Sequence, residues 1–74
     1  MDDEAAQAQA IRQAMARLSP EHRAVLAQVH YRGLSIVDAA AELDLPAGTV
    51  KSRTYYALRS LRLILEELGI TPPP

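Results

Sequence analysis

The sequence predicts an all-α protein, a small four-helix domain that contains a helix-turn-helix. Its 74 residues are rich in Ala, Leu, Arg, Glu and Gln, which are strong helix formers, and its only aromatic residues are three Tyr. Apolar residues recur every three or four positions, as they do on one face of a helix, and no stretch alternates apolar and polar residues as a strand does. Pro and Gly divide the chain into four helical segments.

The chain is divided here into three parts. Residues 1–18 are an N-terminal helix or the remnant of a linker, residues 19–69 are the helix-turn-helix domain, and residues 70–74, which end in three prolines, are a flexible tail. The N-terminal helix itself is predicted over residues 5–18. Its apolar positions, spaced at i, i+4 and i+7, are Ile11, Met15 and Leu18.

A second helix is predicted from Pro20 to Tyr31. Ser19 supplies an N-cap oxygen, Pro20 fits the first helical position, and Glu21 favours the positive end of the helix dipole. Gly33 ends the helix, since Gly is the natural residue just after a helix C-terminus. The apolar residues of its inner side are Val25, Leu26 and Val29.

The segment from Ser35 to Arg53 predicts a short capped helix, a turn of about three residues and a longer helix, which is the helix-turn-helix skeleton. Ala40 is small where the two helices must cross closely. Asp44 stands at the turn, where a positive φ is often needed and Asp tolerates it better than most residues. The alternative for this pattern alone is an ordinary helical hairpin.

The last helix is predicted to open near Pro46 and to close at Gly69, and its start carries the residues suited to nucleic acid. A helix that enters the major groove presents its first turns to the bases. Lys and Arg donate to guanine acceptors or phosphates, and Thr and Ser bond phosphates or base edges. The DNA-binding candidates from residue type and position are Thr49, Lys51, Ser52 and Arg53, with Arg59 further along suited to neutralising the DNA backbone.

Charge and composition exclude several classes of function. The chain as a whole carries a net charge of −1, but residues 11–65 hold all eight basic residues and four acids, a net charge of +4. The absence of Cys excludes disulfides and thiolate metal sites, and two isolated His make a zinc site improbable, so no cofactor is expected. The sequence contains no nucleophile with a neighbouring base, so it gives no indication of an enzyme. An acidic start and the lack of a long apolar run argue against a signal peptide or membrane insertion and favour the cytoplasm.

Three motifs carry a resemblance to a known family. They are residues 18–23 (LSPEHR), residues 33–35 (GLS) and residues 48–53 (GTVKSR). Together they resemble region 4, the C-terminal DNA-binding domain, of a bacterial sigma factor, and most of all the extracytoplasmic-function group. The resemblance covers about residues 15–65.

The resemblance implies recognition of the −35 promoter element within RNA polymerase holoenzyme, directing transcription initiation. Matching positions would turn Lys51, Ser52, Tyr55 and Tyr56 toward bases, and Thr49 and Arg53 toward the DNA backbone. An apolar groove on the earlier helices would hold the flap tip of the polymerase β subunit. An anti-sigma factor would cover the same surfaces, and the rest of the sigma factor would lie outside this chain.

The sequence departs from the family pattern at three positions. Tyr56 and Leu58 stand where the family usually has Arg, which weakens the electrostatic share of DNA affinity, and Val37 stands at a usually acidic position. Two alternatives therefore stay open. One is the DNA-binding domain of a response regulator, and the other is a helical interaction module in which DNA contact is secondary.

The second half of the last helix predicts a partner surface. Its core stripe is expected to consist of Val50, Thr54, Ala57, Leu58, Leu61, Leu65 and Leu68. Leu63 points about 200° away from Leu61, and Ile64 lies at the margin of the stripe. We expect these two residues to form an exposed apolar strip, continued by Val37 or Tyr56, that binds a partner. The alternative is that this half packs back on the first helix through Ile11 and Met15.

Overall fold

The structure is a computed structural model that describes the backbone of residues 2–70 and the side chains from Glu4 onward. Within this range the chain forms four helices and no strand, which confirms the predicted all-α class. The elements are α1 (Asp2–Arg17), α2 (Pro20–Leu26) with a π-helical turn (Ala27–Tyr31) that continues it, α3 (Ile36–Leu43) and α4 (Ala47–Glu67). The predicted flexible tail, apart from Ile70, lies outside the described residues.

Side-chain caps fix two helix starts where the sequence predicts them. The Oγ of Ser19 accepts a hydrogen bond from the backbone N–H of His22 at 3.2 Å, and the Oγ of Ser35 accepts one from Asp38 at 3.0 Å. The guanidinium of Arg23 donates to the carbonyl of Leu18 at 3.0 Å. That bond ties the start of α2 to the end of α1.

The turn between α3 and α4 also forms as predicted. Asp44 has φ 55° and is the single non-glycine residue with a positive φ in the described chain. This left-handed residue lets the backbone N–H of Leu45 donate to the carbonyl of Ala40 at 3.0 Å, which closes the end of α3. The turn sets the angle at which α4 leaves α3.

The end of the second helix differs from the prediction of one regular helix. Its last five residues form a π-helical turn, in which the N–H of Arg32 donates to the carbonyl of Ala27 at 3.0 Å, five residues back. Gly33, with φ 69°, then turns the chain toward α3. Turns of this kind occur often at functional sites, because they displace side chains from the regular helical pattern.

The core lies where α4 crosses the other helices, since α4 contacts α1, α2 and α3. Several core side chains are small, which allows close helix approach. The buried cluster consists of Leu18, Val25, Leu26, Ala39, Ala40, Val50 and Ala57. Thr54 is also buried, and its hydroxyl has no hydrogen-bond partner among the described residues. None of the helices in this range is long and apolar enough to cross a membrane.

The inner stripe of α4 is partly different from the predicted one. Val50, Thr54 and Ala57 are buried, and the stripe continues through Leu61 and Ile64, which both pack against the core. Steps of four and three residues keep this stripe on one line along the helix.

Two predictions for α4 are therefore wrong. Leu58 is 41% exposed and does not belong to the buried core, because it lies about 100° from the buried Ala57. Ile64 is not exposed, because it continues the inner stripe and packs on the core cluster. Leu63 is 54% exposed, as predicted, and Val37 and Tyr56 are exposed as well.

Candidate nucleic-acid interface

The first half of α4 presents the predicted DNA-binding residues at the surface. Lys51, Ser52 and Arg59 are exposed, and so are the two tyrosines between them. Thr49 and Arg53 are partly buried at the edge of the helix. Five of the seven predicted residues therefore lie on the exposed side of α4 and the other two at its edge, all within the first four turns.

A polar concavity of about 640 Å³ lies between the start of α2 and the first half of α4. Its lining consists of His22, Gly48, Thr49, Ser52, Arg53, Tyr56 and Ser60. These side chains offer hydroxyls, an imidazole and a guanidinium, which are the groups that proteins use to hold phosphate oxygens. Thr49 and Arg53, the predicted contacts to the DNA backbone, therefore line the same concavity.

The opposite flank of α4 forms a second, basic surface lined by Tyr55, Leu58, Arg59 and Arg62. Arg62 forms an exposed ion pair with Glu66, with Nε and Oε1 3.5 Å apart. Lys51, Arg53 and Arg59 form no ion pair within the described part of the chain. These three cations are available to a polyanion.

The charge along α4 changes sharply near its end. From Ala47 to Leu65 the helix carries four basic residues and no acid, and its first acid is Glu66. A helix that bears one sign of charge over its outward face favours approach to a duplex, whose backbone is densely negative. The part of α4 that meets DNA in a helix-turn-helix therefore lies within a stretch that carries only positive charges.

Comparison with known proteins agrees with this geometry. Residues 14–63 match the family described as "Sigma-70, region 4". The chain belongs to the sigma-70 region 4 family. This match decides between the two DNA-binding alternatives in favour of the sigma factors, and against the response regulators.

Two relatives support the same assignment. An extracytoplasmic-function RNA polymerase sigma factor, SigL, from three strains of Mycobacterium tuberculosis, is 54% identical over 61 residues, which cover 82% of this chain and 34% of the relative. The RNA polymerase sigma-E factor of Streptomyces antibioticus is 43% identical over 53 residues, 72% of this chain and 29% of the relative. This region 4 therefore spans about a third of the length of the relatives it matches.

An apolar groove of about 280 Å³ lies on another side of this region 4, between α1, the π-helical turn and the middle of α4. Its lining residues are Ile11, Met15, Leu26, His30, Tyr31, Leu58 and Leu61. The predicted partner residues Val37, Leu63 and Ile64 do not line it. Leu63 and Leu61 lie on opposite sides of α4, so the groove and the exposed Leu63 are separate surfaces.

Sequence reasoning missed His22 and most of the groove. His22 is not among the predicted site residues, yet it shares the polar concavity with α4. Sequence reasoning assigned Ile11 and Met15 to packing alone. Each of these neighbours comes from a distant segment, so the helical periodicity of α4 does not signal the contact. For His22, the local signal was its place in the LSPEHR motif.

Proposed function

We propose that this region 4 binds the −35 promoter element as the C-terminal DNA-binding domain of an alternative sigma factor, within RNA polymerase holoenzyme. The observation that carries the proposal is the outward face of α4. It combines cations, hydroxyls and two tyrosines in the first four turns, on a helix positioned by a helix-turn-helix. Membership of the region 4 family supports the same function.

Each part of the outward face has a task in this proposal. The exposed Lys51 and Ser52, with Tyr55 and Tyr56, turn toward base edges in the major groove. Thr49 and Arg53, at the edge of the helix, hold one phosphate strand together with His22 on α2, because the three share one concavity. Arg59 neutralises the backbone further along.

The apolar groove supports a second contact of the same protein. An apolar surface of this kind fits an amphipathic helix or a hydrophobic loop tip. We assign it to the flap tip of the polymerase β subunit, with an anti-sigma factor as the competing occupant. Region 4 would then hold polymerase with one side and the promoter with another, which places the protein in the cytoplasm. The exposed Leu63 is a further candidate contact for the anti-sigma factor.

Salt dependence tests the DNA-binding proposal. We expect the chain alone to bind a random duplex no more tightly than the ~10⁻⁴–10⁻⁶ M of non-specific binding at physiological salt. Two phosphate contacts from Arg53 and Arg59 predict that log K falls against log salt with a slope of about −2. Fluorescence anisotropy of a labelled duplex, titrated at several salt concentrations, measures both quantities.

The matched control for this test is Arg12→Ala. Arg12 is exposed on α1 and belongs to none of the surfaces of α4, so its removal should leave the salt slope unchanged. Arg59→Ala should reduce the slope by about one. A salt-independent affinity, or an equal effect of both variants, would contradict the proposed docking.

A further inference from the structure

The two neighbouring tyrosines of α4 form one aromatic unit on its outward face. The ring centroids of Tyr55 and Tyr56 lie 5.2 Å apart, and the ring planes meet at 82°, an edge-to-face contact. Aromatic pairs favour this arrangement, so each ring restricts the rotation of the other. Both rings nevertheless stay open to solvent, with Tyr55 63% and Tyr56 52% exposed. An ordered but exposed aromatic pair is suited to contacting a partner.

Tyr55 and Tyr56 lie on either side of the line along α4 that points directly away from the core. Tyr56 lines the polar concavity on one flank of the helix, and Tyr55 lines the basic surface on the other. Between them, one turn back and one turn on, stand Ser52 and Arg59. The two rings thus reach out on both sides of the helix part that would lie deepest in a groove.

The helical turn before the tyrosine pair carries short residues, Gly48 and Ser52, on its outward side. Gly48 has no side chain, and beyond the adjacent helix backbone no other part of the described chain lies within 4 Å of where a Cβ would stand. Ser52, the next outward residue, is also short. A helix with such a surface can come close to a nucleic-acid groove, and a close approach brings the rings of the following turn against base edges.

The chemistry of the rings limits what they can distinguish there. Ring carbons neither donate nor accept strong hydrogen bonds, whereas the major-groove edges of the bases differ in donors, acceptors and one apolar group. That apolar group is the C5-methyl of thymine, which favours apolar contacts. The ring edges therefore match the methyl group better than any other feature of the base pairs.

We propose that the Tyr55–Tyr56 pair reads the 5-methyl groups of pyrimidines in promoter DNA. The pair makes this region 4 select thymine at one or two positions of its site. The same contact also favours 5-methylcytosine over cytosine, because the methyl group is the same. The inference rests on the proposed function, since it requires α4 to lie in the major groove.

Replacement of thymine by uracil, which lacks only the methyl group, tests the inference. A duplex is first selected from a random-sequence library with the 74-residue chain at low salt. It is then resynthesised with uracil at each thymine in turn. We expect one or two positions at which uracil weakens binding about three- to fivefold, the value for one buried methyl group. 5-Methylcytosine should bind better than cytosine at the same positions by a similar factor.

Substitutions assign the effect to the rings. Tyr55→Phe and Tyr56→Phe keep the rings and should keep the preference for thymine over uracil, whereas Tyr55→Ala or Tyr56→Ala should remove it at one position or more. A preference that vanishes in the Phe variants would show that the hydroxyls read the DNA, and would overturn the inference. Arg12→Ala is the control, since Arg12 is exposed on α1 and lines none of the surfaces assigned to a partner.

The outcomes separate this inference from the proposed function. If the chain selects a sequence but binds thymine and uracil equally at every position, the methyl readout is wrong and the promoter-binding proposal stands. If the chain shows no salt-dependent binding to any duplex, the proposed function fails, and the inference fails with it.

Discussion

The outward face of α4 and the apolar groove lie on the same helix, yet they are built differently. The outward face is made almost entirely by consecutive turns of α4, from Thr49 to Arg59, and two of its three cations, Lys51 and Arg59, are exposed. The groove needs three elements, α1, the π-helical turn and α4, and its walls are apolar. A surface built by one helix depends on local sequence, whereas a surface built by three depends on how they pack.

The largest expected effects come from two substitutions on the outward face, which distinguish a base contact from a phosphate contact. Lys51→Ala should reduce discrimination between promoter sequences, since a well-placed base contact contributes ~1–3 kcal/mol of discrimination. Arg59→Ala should lower affinity about equally on all sequences, because a phosphate contact carries no sequence information. Anisotropy titrations with selected and scrambled duplexes measure both. Uniform loss in both variants would show that α4 docks differently.

Leu58 stands between the two surfaces, because it lines the apolar groove and also the basic flank of α4. Leu58→Arg should therefore change both in opposite directions. The added cation should strengthen DNA binding at low salt and steepen the salt slope by about one. The charge in the groove should weaken binding to core polymerase, measured by competition for holoenzyme assembly.

Leu63→Arg is the charge-matched control for that substitution. It adds the same charge to the same helix, outside the groove and beyond the basic flank. A gain in DNA affinity equal to that of Leu58→Arg would show that net charge, rather than position on α4, determines the effect.

The buried hydroxyl of Thr54 gives a smaller effect, on the core that both surfaces share. Its oxygen has no hydrogen-bond partner among the described residues, and an unsatisfied buried hydroxyl destabilises a protein. Thr54→Val, of nearly the same shape, should raise the free energy of unfolding by about 1 kcal/mol. Thr54→Ser keeps the hydroxyl, loses a buried methyl group and should lower it. A drop in melting temperature for Thr54→Val in thermal unfolding would contradict this account.

The smallest expected effect on stability is at Leu63, the exposed apolar residue away from the groove. Leu63→Glu should change the free energy of unfolding by no more than about 0.5 kcal/mol, as at most surface positions. Leu61 lies on the opposite side of α4 from Leu63 and packs on the core. Leu61→Glu should therefore lower the melting temperature clearly. If Leu63 contacts a regulator, Leu63→Glu should weaken anti-sigma binding or self-association. A fall of several degrees for Leu63→Glu, with binding per folded molecule unchanged, would remove Leu63 from the partner surface.

Local signals explain what the sequence could predict. The capping hydroxyls of Ser19 and Ser35, and the positive φ of Asp44, are interactions within a few residues, so their positions follow from residue type and spacing. The outward face of α4 follows from the same logic, since it needs only the helical repeat and the motif around Lys51.

Tertiary packing explains what the sequence could not predict. Ile64 and Leu58 exchange their expected environments because the inner stripe of α4 is set by Val50 and Ala57, which belong to the buried cluster, and not by the number of leucines on a face. His22 meets α4 across a sequence separation that carries no periodic signal. The π-helical turn also has no marker, since its residues suit a regular helix equally well.

The π-helical turn can be regarded as one extra residue that is absorbed within a single turn. The residues on either side of the turn keep their contacts with the core. Leu26 before it belongs to the buried cluster, and Leu34 after it packs against that cluster. The surplus length appears instead as the bulge that carries His30 and Tyr31 to the rim of the apolar groove. A chain one residue shorter at this point would keep its core and lose part of that rim. The groove is therefore set by chain length at the bulge as much as by the apolar side chains that line it.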